Sequence, residues 1–525
     1  MSLVGSRLGR LILNLILYLL LLLQLVFYSC SEKGNDNILS LALQTEPGTL
    51  DPAFSVDYTS GLIVSLIHSN LFRFDVDGVI VEDLVSGYSV DSSGTLYRLE
   101  IGEAYFSNGR KVTAGDVVYS FRRLLSPETH SPRWWVLKDV AGAREFHSGI
   151  SSDLPGLICR GDSEVIIKLE RPIAHFPALL AMPSCGVVAR EVVESQGKNY
   201  GRYPCGSGPW LLRHWREGDE LLLERNPYFK GKVPDVEGIS FRVIPESMTR
   251  IAEFETGNLD LLEVPRAEIV RWKGKHPLVE REELRIVYIG LNNESSPFSD
   301  RRVRRALNMA IDIDAIIKYV LFGSAKRADG IVPSPLRGNY STLEPYRYDP
   351  ERARELLSKA GYPRGFKMQI WQRENPESGR VLESIQGYLA EVGIDVEIVT
   401  REWSAFKEAV DRGTCDAFYL DWFADYPDCE NFLYPLFHSS NFGGRGNRSH
   451  YSNAVVDSLL DLASMTIDSK ARRELYFQAE KIIYEDAPWI FLWFPVRFIA
   501  VSSRVHNYRE PIIFNGQRFL DVYLD

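Results

Sequence analysis

An α/β protein of two or three lobes is the architecture this sequence predicts, and three observations carry it. At 525 residues the chain exceeds what one hydrophobic core organises. Helix-like and strand-like segments follow one another from end to end, with no repeat, low-complexity tract or long linker between them. Apolar residues make up 45% and charged residues 25%, which excludes the disordered and fibrous classes.

The first element is residues 11–28, "LILNLILYLLLLLQLVFY", preceded by Arg7 and Arg10. About 18 apolar residues suffice either to span a bilayer or to form the core of an export signal. The next residues favour export: "FYSC" at 27–30, a small serine directly before a cysteine, followed by the polar tether "SEKGNDN", resembles a bacterial lipoprotein cleavage site, with Phe27 as a departure from it. Residues 1–29 are therefore read as a signal peptide and Cys30 as the lipidated first residue. The mature protein is expected in the cell envelope, lipid-anchored outside the cytoplasmic membrane, in the periplasm or on the outer surface. Losing Arg7 and Arg10 takes the formal charge from −10 to −12. With no basic stripe to neutralise phosphates, no nucleic acid is expected as a partner.

"ILSLALQ" (38–44) reads as a strand and the Pro- and Gly-rich "TEPGTLDPAFS" after it as a loop. "YFSNGRKVTAGDVVYSFRRLL" (105–125) supplies a turn at Asn108-Gly109, a helix cap at Thr113, and a helix with Val117, Phe121 and Leu124 on one face. "ISFRVIP" (239–245) and "LRIVYIGLNN" (284–293) are strands, and "PESMTRIAEFETGNLDLLE" (245–263) is a helix, turn and strand. In "SDRRVRRALNMAIDIDAII" (299–317) Ser299 is the expected N-cap and Val303, Leu307 and Ala310 the buried face, which leaves the four arginines on the solvated face rather than around a phosphate. "DPERARELLSKAGYP" (349–363) places Asp349 at the cap, Pro350 at the first helical position, and Gly361 with Pro363 at the stop.

Enzyme constellations are missing from the sequence. There is no G-x-S-x-G, H-E-x-x-H, P-loop or G-x-G-x-x-G. "GSGPW" (206–210) is excluded as a phosphate loop by Pro209 and reads as a chain reversal between lobes. His438 and His450, twelve residues apart in a Gly- and Asn-rich stretch, read as solvated loop histidines; no metal, no cofactor and no catalytic residue are expected. After Cys30 five cysteines remain, Cys159, Cys185, Cys205, Cys415 and Cys429, none in a C-x-x-C pair, so zinc and redox motifs have no support.

One stretch stands out. "WFADYPDCENFLYPLF" (422–437) holds Asp425, Asp428 and Glu430 among aromatics and two prolines, the composition of a loop that keeps a charge out of water. Five segments in this order, "CGSGPWLL" (205–212), "ERNPYFKGKVPDVEGISFRVIPE" (224–246), "SPFSDRRVRRALNMAID" (296–312), "YDPERARELLSKAGYP" (348–363) and "DWFADYPDCENFLYPLF" (421–437), resemble the signature segments of extracellular solute-binding proteins of the oligopeptide and dipeptide family, which serve ATP-binding-cassette importers. The resemblance covers about residues 38–525.

It implies a two-lobed periplasmic-binding-protein fold with a hinge and a small domain inserted in lobe I. Lobe I would comprise 38–76, 205–287 and 493–525, the insertion 77–204 and lobe III 288–492, with hinge crossings near 288 and 492. The implied function is capture of short peptides for delivery to permease subunits by a monomer. Other solutes on the same fold (a nickel chelate, haem, an oligosaccharide), a non-transport signalling lipoprotein and an envelope hydrolase are the alternatives.

A receptor for varied peptides must read what they share, so an aspartate suits the α-ammonium and an arginine the α-carboxylate. The resemblance puts Asp425 in the first role and Arg373, in "MQIWQRENP" (368–376), in the second. Read from the residues alone, Asp425 equally caps the turn before Pro427, and Arg373 equally is an exposed loop charge. Trp422 and Tyr426 are expected either to wall the pocket or to pack in the core. Cys185 and Cys205, which fall where the insertion would rejoin lobe I, are expected to form a disulfide.

Overall fold

The computed structural model describes residues 37–338 and 343–525. The expected signal peptide and Cys30 lie outside them; among the described residues no helix is long and apolar enough to cross a membrane. β1 (Ile38–Leu43) buries Leu39, Leu41 and Leu43 on one face, as its alternation requires, and leads to α1 (Tyr58–Ile67), which Asp57 caps by accepting from Ser60 N at 2.8 Å.

β2 (Val85–Val90), β3 (Leu96–Ile101), β4 (Leu157–Arg160) and β5 (Glu164–Lys168) form an antiparallel sheet in the order β2-β3-β5-β4. It is covered by α2 (Ala114–Leu125), whose Thr113 and Asp116 make a reciprocal capping box and whose Val117, Phe121 and Leu124 are buried as expected. The chain then returns through residues 206–209 to β6 (Trp210–Arg216), β7 (Glu220–Arg225) and β8 (Gly238–Val243), which complete a sheet ordered β1-β8-β7-β6 with β1 and β8 parallel. Only glycine fits that return: a Cβ on Gly206 would stand 2.1 Å from the Ile67 carbonyl, and Gly208 N donates to the same oxygen at 2.8 Å.

The third sheet is built from β9 (Leu261–Glu263), β10 (Leu278–Glu282), β11 (Arg285–Leu291), β12 (Ala325–Arg327), β13 (Lys367–Arg373), β14 (Asp395–Arg401), β15 (Ala417–Phe423) and the 13-residue β16 (Trp489–Val501). Its order is β9-β16-β11-β15-β13-β14, with β10 and β12 also paired to β16. β16 is long enough to pair with β11 through Trp489–Trp493 and with β9 and β10 through its second half. A register shift between Val287 and Tyr288 interrupts the β11–β16 ladder where the sequence reading expects crossings, near 288 and 492.

Two local expectations need correction. The helix Arg301–Met309 is capped by Asp300, one residue later than Ser299, because the Asp300 carboxylate reaches Arg302 N at 2.8 Å. Of its four arginines, Arg304 is buried, not solvated: its guanidinium donates to the carbonyls of Phe298, Ser299, Asp486 and Ala487, and four acceptors replace the water it loses.

The expected disulfide is not formed. Cys185 and Cys205 are free, buried thiols with separate partners, Cys185 donating to Leu179 O at 3.4 Å and Cys205 accepting from Ser107 Oγ at 3.5 Å. Nor are the two loop histidines simply solvated. His438 is buried and stacked on Tyr434, while His450 stacks on Phe442 and bonds Glu294.

Candidate functional site

The pleat of β15 decides which residues of the aromatic stretch face a cleft. Tyr419, Asp421, Phe423 and, just beyond the strand, Asp425 line cavities, whereas Leu420, Trp422, Ala424 and Tyr426 pack in or against the main hydrophobic core, with Leu420 and Ala424 also reaching cavity edges. The stretch is thus a strand end, a short loop and a helix (Glu430–Phe437), not one long loop. Tyr426 is 4% exposed, stacked on His175 with ring centroids 5.5 Å apart, and donates its hydroxyl to Glu430. Of the two open readings for Trp422 and Tyr426, core packing is the one the structure bears.

The three acids are each satisfied within the protein. Asp428 accepts from Glu430 N and pairs with Arg472 at 2.9 Å, which makes it the loop's capping residue. Asp425 instead accepts from Arg133 Nη1 at 2.9 Å across 292 residues of sequence, and its own N–H donates to Asn431 Oδ1. Arg133 and Asp425 are 18% and 29% exposed.

Three cavities lie side by side and share lining residues. One of about 200 Å³ lies between Asp57, Arg133, Ser184, Phe423, Asp425 and Phe514. Through Tyr58 and Phe514 it adjoins one of about 430 Å³, between β1, α1 and the β9–β16 region. Through Arg285 that cavity adjoins one of about 60 Å³ holding Arg266, Arg373, Glu377 and Asp421. Tyr58, Phe423 and Phe514 are the aromatic wall, with Tyr58 and Phe514 centroids 5.4 Å apart.

The middle cavity is floored by an ion network. Arg497 bonds Glu283 at 3.0 Å, Glu510 at 3.0 Å and the Tyr58 hydroxyl at 3.2 Å; Arg285 bonds Asp421 at 2.9 Å. Burial disfavours charge on Arg497, but the adjacent Tyr58, Glu263, Glu283 and Glu510 outweigh it and hold its pKa above the ordinary value. Burial pushes the Glu510 carboxyl up, against the pull of Arg497.

The structure does not bring Arg373 and Asp425 into one cavity. Arg373 is exposed, with its guanidinium 5.7 Å from the Trp403 ring centre and no ion pair among the described residues. Continuing the parallel β13–β15 register from Ile370↔Ala417 and Trp371↔Phe418 sets Arg373 level with Leu420. Asp425 lies five positions on, about 16 Å at a strand's rise, against about 7 Å for an extended dipeptide. Sequence reasoning missed Arg133, although "SPRWW" (131–135) carries the same signal, a charge among aromatics beside a proline.

A family model for bacterial extracellular solute-binding proteins, family 5, middle part, matches residues 79–444. Heme-binding protein A of Haemophilus influenzae is 29% identical, covering 94% of each chain. Glutathione-binding protein GsiB of Salmonella typhi is 30% identical, covering 84% of this chain and 86% of that one. The periplasmic binding protein DppA from Helicobacter pylori, solved in complex with the peptide STSA, superposes with a TM-score of 0.76 at 28% identity, covering 93% and 98%.

Proposed function

The chain belongs to the bacterial extracellular solute-binding proteins of family 5, and we propose that it captures short peptides and delivers them to the permease subunits of an ATP-binding-cassette importer, without catalysis of its own. The observation that carries this reading is the row of adjoining cavities with a carboxylate in the first and an exposed guanidinium in the last, the two charges that peptide ends require. Asp425 takes the ammonium and Arg373 the carboxylate; the span between them suits a tri- or tetrapeptide better than a dipeptide. Haem stands second, favoured by the likeness over 94% of the chain to a heme-binding protein.

On this reading lobe I comprises 38–76, 205–287 and 493–525, the insertion 77–204 and lobe III 288–492. The β2–β5 sheet, which lies wholly within 77–204, supports the insertion, and the shifted β11–β16 ladder supports a hinge near 288 and 492. Calorimetry with alanine tripeptide and with haemin tests the ligand: peptide binding supports the reading, and haemin binding without peptide binding rejects it.

The protein acts as a monomer held by lipid at Cys30. Two acyl chains anchor stably without a spanning helix. Cys30→Ala is expected to abolish labelling by radioactive palmitate, and labelling that persists rejects the anchor.

A further inference from the structure

The chain enters β1 beside the loop that joins β7 to β8. Glu237 N donates to Asn37 O at 2.9 Å and Asn37 Nδ2 to Asp235 O at 3.2 Å, so the start of β1 is tied to the end of that loop. Asn37 stands seven positions after Cys30, a stretch that reaches at most about 25 Å. A globule of this chain length is roughly 60 Å across. A lipid on Cys30 therefore keeps the Asn37 side of the protein near the bilayer and the opposite side out of its reach.

The β7–β8 loop is braced from within. Arg225 donates to the carbonyls of Val236 and Asp235 at 2.8 and 2.6 Å, which closes the loop on itself, and the buried Asn226 side chain donates to Gly208 O and accepts from Tyr228 N. Val236 is buried in the core beneath. Between these ties Tyr228 and Val233 stand 44% and 62% exposed, with Lys230 and Lys232 exposed between them. The Phe229 ring folds over Gly231, where a Cβ would stand 2.5 Å from it. Lys232 reaches Asp521 at 2.7 Å, and Tyr523, two residues on, is 42% exposed. Arg504 closes the ring by donating to Ile38 O at 3.0 Å and accepting from Asp525 N at 3.1 Å.

Exposed apolar residues scattered singly carry no message. Tyr228, Val233 and Tyr523 instead lie on two stretches joined by an ion pair, around the point where the tether arrives. Tyrosine favours the boundary between lipid and water, and lysine lays its stem on apolar surface while its ammonium stays among phosphates. Lys230 and Lys232 pair with Glu103 at 3.4 Å and Asp521 at 2.7 Å, and every member of these pairs is more than half exposed, so phosphates replace the acids at little cost. The acids leave the face without surplus positive charge, so it does not hold a membrane unaided. A short tether supplies the effective concentration that a weak contact lacks.

Resting on the lipid anchor at Cys30 proposed above, we propose that the Tyr228–Val233 loop and Tyr523 form a membrane-contact face, seated in the headgroup layer of the bilayer that holds the anchor. The lipid then fixes the orientation of the protein as well as its location.

Full-length lipidated protein on phosphatidylcholine–phosphatidylglycerol vesicles tests this, with Cys159→Ser removing an exposed native thiol. A fluorophore on Val233→Cys is expected to be quenched by a nitroxide on the lipid headgroup at least threefold more than one on Ile150→Cys, a position 81% exposed in the insertion. With the fluorophore moved to Tyr523→Cys, the pair Tyr228→Ser and Val233→Asp is expected to cut the quenching there by at least half. Equal quenching at Val233 and Ile150, or quenching at Tyr523 that the pair leaves intact, overturns the membrane face while the anchor stands. Protein that does not float with the vesicles overturns the anchor and this inference with it.

Discussion

Of the two charges proposed to recognise peptide ends, Asp425 is already paired, with Arg133 2.9 Å away, whereas Arg373 is exposed, with the Trp403 ring beside it. The two ends solve one problem differently. A carboxylate walled by Phe423 and Phe514 has lost much of its water, so it needs a counter-charge before a ligand arrives and an exchange when one does. A guanidinium on the surface keeps its hydration and waits at little cost, but its later bond is weaker for the same reason.

The largest effect should therefore come from the paired end. Asp425→Asn leaves Arg133 and the ligand ammonium together without a carboxylate, at a cost of about 3–5 kcal/mol, or a loss of more than about a hundredfold in affinity. N-acetylated peptides should lose as much on the wild-type protein. Calorimetry showing equal binding with and without the free amino group would remove Asp425 from its role and erase the contrast between the ends.

A second measurement keeps the contrast from being confused with scaffold failure. His68 is fully buried beside Tyr200, 3.1 Å from its hydroxyl, and burial lowers its pKa to about 4 although Asp51 and the Val64 carbonyl pull the other way. The unfolded chain takes up that proton first, near pH 6.5, so the stabilisation is full above 6.5 and is lost as pH falls toward 4. The loss should approach about 3 kcal/mol, read as a falling denaturant midpoint, and His68→Gln should flatten it. Binding lost at pH 5 with the midpoint unchanged would place the acid sensitivity in the cleft instead.

Local chemistry was legible in the sequence and long-range pairing was not. The strand at 38–44, the capping box at Thr113 and the Asp349–Pro350 helix start each depend on residues a few positions apart, and each stands where the spacing puts it. The family likeness was legible because five segments keep their order. Asp425 stands out in the sequence by its aromatic surroundings, but its ion-pair partner lies 292 residues away, and no local rule links "SPRWW" to "WFADYP". Arg304 was misread because helical periodicity assigns a face without knowing that the end of another helix, at Asp486 and Ala487, would offer it carbonyls. Trp422 needed the strand's extent: once β15 runs to Phe423, alternation alone sends Trp422 to the core and Phe423 to the cleft.

The smallest effect belongs to the open end, and its size is what the comparison turns on. Arg373→Gln removes a charge that water already solvates, so a carboxylate contact there is worth about 1 kcal/mol or less, no more than about tenfold in affinity for a tripeptide. C-terminal amidation of the peptide should cost the same, and the two losses should not add, since each deletes one side of a single interaction. Salt separates the ends further. Screening shortens from about 10 Å at 0.1 M to about 3 Å at 1 M, so the penalty for Arg373→Gln should vanish in 1 M salt while that for Asp425→Asn persists behind its aromatic wall. A penalty at Arg373 as large as at Asp425, and as resistant to salt, would mean that the lobes close over both ends alike and bury the guanidinium when the peptide is bound.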